Sequence, residues 1–265
     1  MKKSQLIIIS IVEIILICLL SVFFTFKTIC IRTISENYMN TTITNQIIDF
    51  VIDHYTDIKN EQLISLQNDL NNSDALYYFN QNAFDTAIKD IKEESDFQME
   101  EETIDRFSLT CIEMIESHLN RDLNDEEQQK VISLLQKDSL WTRFLQNLNT
   151  KIDKDSFFVK IYSLSDMVMI KIILVLAAAG LFIYLMVKAG KMKIICIIGI
   201  SLSASLINYL MLAAVYLLTP LLSSMINIEN LRIVMDPVLY VAMLMLSISL
   251  IFICILIKSG HFERI

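Results

Sequence analysis

Few side chains in this 265-residue sequence stand where chemistry could be done. His54 and His118 are the imidazoles of its central part. An imidazole can serve as a general base, an acyl carrier or a metal ligand. The two are single and far apart in sequence, and a zinc site wants ligands at short fixed spacings. Neither H-E-x-x-H nor C-x-x-C occurs, so no metal set is assigned. The acidic run from Lys92 to Glu102 suggests calcium, but it lacks the alternating oxygen ligands and central glycine of an EF-hand loop. Its plainer reading is a linker followed by an acid-rich first helical turn. Ser, Thr and Asp are plentiful, yet none stands in a nucleophile-elbow context. No catalytic residue and no cofactor motif is assigned.

The anomaly is Glu13. It interrupts the apolar run Leu6–Phe26 near its middle, where a carboxylate costs several kcal/mol unless it is neutral or partnered. The functional reading is an ion, proton or substrate contact; the structural one is a protonated side chain bonded to a neighbouring helix. A partner stripe is visible in a later apolar run. Ser201, Ser205 and Asn208 fall at i, i+4 and i+7, on one helical face and at nearly the depth of Glu13. The expectation is a hydrogen bond from Glu13 to Ser201 or Ser205. Lys171, in another run, sits about 10 Å away in depth if both helices stand upright. It is expected to snorkel toward the surface rather than pair with Glu13.

The elements that must position these residues are four apolar runs. Residues 1–26 read as an uncleaved signal anchor: the core is long, no A-x-A site follows, and Ile17 before Cys18 is too large for lipoprotein processing. Residues 164–187, 194–218 and 237–258 are each long enough to cross a bilayer as a helix. Ala177–Gly180, and Gly199 with Ser203, would admit a close helix neighbour. Residues 219–236 alternate apolar with polar side chains, which suits a segment on the outer interface. Asp236 and Pro237 supply an N-cap and first turn for the last run. Lys188, Lys191 and Lys193 crowd a short turn, and basic short loops mark the cytoplasmic side. The topology that follows has both termini, including the tail 259–265, in the cytoplasm, and residues 27–163 outside.

That outer segment holds 13 Lys plus Arg against 25 Asp plus Glu, a net of −12 within a chain of net −8. Such a surface disfavours nucleic acid and anionic lipid and keeps a domain soluble. The segment contains neither Gly nor Pro, which argues for helices joined by Asn, Asp and Ser turns. Ile43, Ile47, Phe50, Val51, His54 and Tyr55 recur at helical spacing, as do Ile104, Phe107, Cys111, Ile112, Ile115 and Leu119. Asn124 and Glu127 fit a capping box ahead of Val131, Leu134 and Leu135. Asp138 or Ser139 is expected to cap the next helix. Asp155 should start one that runs straight into the second span. The aromatics near Leu76–Phe84 belong to a core, or line a pocket. Cys30 and Cys111 both fall in this region and could pair; Cys18, Cys196 and Cys254 read as small apolar residues.

The predicted fold is therefore all-α: a four-helix transmembrane bundle with an inserted α-helical extracytoplasmic domain. In layout the chain resembles a broad group of bacterial four-span membrane proteins, without an assigned activity and known mainly from Gram-positive lineages. They carry a signal anchor, a helical outer domain and three C-terminal spans. Three function classes follow. The first is a non-enzymatic envelope protein acting as sensor, scaffold or accessory subunit, with a protein partner or self-association besides the lipid bilayer. The second is a permease subunit, since the layout resembles that of FtsX and MacB-type permeases; the Lys188–Lys193 turn is short for the coupling helix such proteins use. The third is a membrane-embedded acyl-transfer enzyme, since lipoprotein intramolecular transacylases have a comparable layout with outer-facing histidines; only His54 and His118 could fill that role.

Overall fold

The computed structural model describes residues 3–55, 58–136, 140–226 and 232–258. Of the described residues 88% are helical, and none is in a strand. Contacts divide it into two units: Met1–Cys30 with Ile161–Ile265, and Ile31–Lys160.

Among the described residues four helices are long and apolar enough to cross a membrane, their apolar parts in the first unit. Helix α1 spans Lys3–Ile34 and continues through a π-helical turn, Ser35–Met39, into α2, Asn40–His54. The helix is thus longer than the apolar run that crosses a bilayer. Nothing in Lys27–Met39 is Gly or Pro, so no residue there stops it. Helices α9 (Val168–Ala189), α10 (Lys193–Ile226) and α11 (Asp236–Lys258) complete the set. Between α9 and α10 the chain reverses through one 3₁₀ turn, Gly190–Met192. Gly190 has φ +54° there, a backbone state that favours glycine.

Helices α10 and α11 form the close pair of this unit. Small residues permit the approach: Ala204 and Ser205 on one helix, Ala242 and Ser249 on the other, all buried. Ser205 Oγ donates to the Ala242 carbonyl at 2.9 Å. The expected close approach at Gly180 and Gly199 is not made, because a Cβ at either glycine would meet open space. Helix α10 also runs past Leu218, carrying Pro220 inside it to Ile226. The first part of the expected interfacial segment is therefore helix, and residues 227–231 lie outside the described residues. Asp236 is the first helical residue rather than the cap; Val238 and Leu239 donate to the Met235 carbonyl.

The second unit packs α2 with α3 (Asn60–Asn71), α4 (Asp74–Glu93), α5 (Glu101–Leu119), α6 (Asp125–Leu134) and α7 (Leu140–Lys151). Its core is the set of periodic apolar faces. Ile43, Ile47, Leu66, Leu76, Phe79, Phe84, Ile115 and Trp141 are almost fully buried. Phe79 stacks on Phe107, with centroids 4.5 Å apart, and meets Trp141 edge-on at 5.1 Å. The Asn124 capping box forms as spaced: Asn124 Oδ1 accepts from the Glu127 amide at 3.0 Å, and Glu127 Oε2 accepts from the Asn124 amide at 2.9 Å. Without glycine, α4 and α5 end on Glu94 and Asn120 in the left-handed region, at φ 55° and 53°. Asn tolerates that state; Glu94 is the costlier choice. Asp138 and Ser139 lie outside the described residues.

Two expectations near the end of this unit are corrected. Ser156, not Asp155, caps α8 (Phe157–Asp166), its hydroxyl accepting from the Val159 amide at 3.3 Å. Nor does α8 run straight into α9. Met167 is extended, with φ −71° and ψ 106°. Ser165 Oγ donates to the Tyr162 carbonyl at 2.7 Å just before the break, the competition with backbone bonding by which serine weakens a helix.

Candidate functional site

The polar residues of the membrane unit are brought together along α1 and α10. Glu13 is only 2% exposed, so it faces protein rather than lipid. Ser21 and Thr25, an i, i+4 pair further along α1, are both buried as well. Ser21 Oγ donates to Asn208 Oδ1 at 2.7 Å. Asn208 is fully buried, and its amide donates onward to the Ala204 carbonyl at 2.8 Å. Thr25 Oγ1 turns back to the Ser21 carbonyl. The seam is thus a short relay of hydroxyl, amide and carbonyl, sealed from solvent.

Helices α1 and α10 run the same way past the Ser21–Asn208 bond. Lys27 pairs with Asp166 at 2.7 Å, and the Lys171 ammonium lies 5.4 Å from the Phe24 ring centroid. The start of α9 therefore lies beside the far end of α1. The tight turn after α9 returns α10 parallel to α1. Eight residues back from Ser21 and from Asn208 stand Glu13 and Ile200, with Ser201 adjoining; all three are buried.

The expected hydrogen bond is not formed. Ser205 donates to α11, and Glu13 Oε2 has no hydrogen-bond partner. The cause is the tight α10–α11 pairing, which turns the Ser205 hydroxyl toward Ala242. Lys171 sits over Phe24, eleven residues or about 16 Å along α1 from Glu13, and does not pair with it. Sequence reasoning missed Ser21 and Thr25. Their signal was the i, i+4 pair Ser21 and Thr25, masked because isolated hydroxyls are common in apolar helices.

The histidines have separate surroundings in the second unit. His54 is exposed, with Nδ1 2.9 Å from the Phe50 carbonyl. His118 Nε2 lies 2.9 Å from Asp69 Oδ2, at an angle that does not make a hydrogen bond, while Gln62 donates to the His118 carbonyl. Between these helix ends, Arg121 covers the Tyr55 ring at 4.6 Å and pairs with Glu127 at 2.7 Å. Burial, then the Glu127 carboxylate beside it, pushes the Tyr55 phenol up to about 12. The Asn124 amide, and after it Arg121, hold the Glu127 carboxyl below its usual range. These contacts close the domain's end. No group of three or more His, Cys, Asp or Glu suited to a metal occurs among the described residues. All five cysteines are free, Cys30 and Cys111 included.

Comparison with protein-family models, curated proteins and solved structures finds no match. The reading of function rests on the chain itself.

Proposed function

We propose that this chain is a non-enzymatic integral membrane protein of the cell envelope, acting through its helical domain as sensor, scaffold or accessory subunit. In this reading residues 27–163 lie across the membrane from both termini, and the basic α9–α10 turn is cytoplasmic. The carrying observation is on the domain's surface. Ile52, Ile64, Tyr78 and Leu109 are about half exposed or more, on a domain whose core is already filled by other side chains. Ile64 and Leu109 belong to α3 and α5, which pack on each other. Exposed large apolar groups on a strongly acidic surface suit a contact with another protein.

The test is a photo-crosslinking amino acid at Leu109 or Ile64, with exposed Asn72 as control, irradiated in intact cells. A single discrete adduct from positions 64 and 109, absent at 72 and abolished at 64 by Leu109→Asp, supports the reading. Its mass separates a second copy from a different protein. Equal diffuse labelling at all three positions refutes it.

A further inference from the structure

Between α4 and α5 the surface of the helical domain carries a groove of about 510 Å³. Tyr78 and Asn82 line it from α4; Glu100, Glu102, Arg106 and Thr110 line it from α5 and the residue before it. Tyr78 is 62% exposed. Leu109, 59% exposed, stands on α5 between Arg106 and Glu113, which share its face at i−3 and i+4. The ring and the leucine leave apolar surface open to solvent beside one groove. The charge left over around them is negative. Arg106 is already held by Glu102 at 3.2 Å, while Glu100 and Glu113 have no ion pair among the described residues. From Glu100 to Thr110 the wall is about 15 Å long, which matches a segment of about three helical turns.

We propose that this groove docks a cationic amphipathic segment of another protein. Its Lys or Arg side chains lie against Glu100 and Glu113 and over the Tyr78 ring, and its apolar side chains meet Leu109. The proposal rests on the partner surface described above, to which Tyr78 and Leu109 belong, and names the chemistry of that partner. A second copy of this chain does not fit: residues 27–163 carry a net charge of −12, so two such domains repel each other.

The probe is a fluorescein-labelled helical peptide of about three turns, built from Leu, Ala and Lys. It is titrated into full-length protein in phosphatidylcholine nanodiscs, beside a counterpart with Glu for every Lys; empty nanodiscs give the lipid background. Saturable binding of the Lys peptide is expected, and none of the Glu peptide. Glu100→Gln with Glu113→Gln should weaken the Lys peptide at least about fivefold, from loss of the charge contacts. Tyr78→Ser with Leu109→Ser should do the same, from loss of the apolar and cation–π contacts. Glu93→Gln with Asp122→Asn removes the same charge at the end of α4 and before α6, and should leave the affinity within about twofold. All six positions are exposed, and unchanged far-UV circular dichroism checks that each variant folds. No saturable binding of the Lys peptide overturns the proposal. So does equal binding of the Glu peptide, or an equal loss from the two carboxylate pairs. If the Leu109 photo-adduct forms while the Lys peptide fails to bind, this inference alone falls; if both fail, the partner surface falls with it.

Discussion

Replacing Glu13 by Leu should stabilise the protein. Glu13 is buried on α1 with Oε2 unpartnered, and an unsatisfied buried polar group costs about 1–3 kcal/mol. Leu has nearly the volume of Glu, so the substitution neither opens a cavity nor overpacks the helix face. The expected gain is therefore about 1–3 kcal/mol. Ser21, further along the same helix, predicts the opposite sign. Its hydroxyl satisfies Asn208, and Ser21→Ala should cost about 0.6 kcal/mol, with a ceiling of about 1.7, as interhelical bonds in membranes do. The two sites lie about 12 Å apart along the helix, so their effects should add in the double variant. The assay is unfolding of full-length protein in mixed micelles by sodium dodecyl sulfate, followed by circular dichroism. A loss of stability in Glu13→Leu refutes the reasoning, because it would mean the carboxyl holds a partner or ion that contributes to the fold.

Two further outcomes follow from the helical domain. Burial holds the Cys111 thiol well above the ordinary thiol value of 9.0. The unfolded chain therefore loses this proton above pH 9 while the folded chain keeps it. Cys111 should therefore contribute a fall of about 1.4 kcal/mol per pH unit there, and Cys111→Ala should lower the slope of chemical unfolding stability against pH by that amount. At Glu94 the backbone is left-handed, so Glu94→Gly should exceed Glu94→Ala in stability by about 1 kcal/mol, the reverse of the usual order; thermal unfolding of the two variants decides it.

The legible parts of the fold were those written as periodic patterns. Apolar runs marked the four membrane-length helices, and the Ile43–Tyr55 and Ile104–Ile115 faces marked α2 and α5, because burial of one helix face repeats every three to four residues. Asn124 and Glu127 carried a cap that depends on local spacing alone. What the sequence hid depended on neighbours or on backbone states. The helix continues through Ser35–Met39 because no stop residue stands there, and its π turn leaves no compositional mark. The break at Met167 falls between residues with no strong breaker among them. Ser205 was on the right face, but which of two neighbouring helices its hydroxyl would meet depends on how closely small residues bring α10 and α11 together. Ser21, placed within an apolar run, gained meaning only beside Asn208.

The central claim is that the acidic helical domain lies on the side of the membrane opposite the α9–α10 turn. Single cysteines at Asn72 and at Lys188, each introduced into a chain with its five native cysteines replaced, test it in intact cells with a membrane-impermeant maleimide. The account predicts labelling at position 72 without permeabilisation and at position 188 only after it; labelling at 188 in intact cells, with 72 protected, would contradict it.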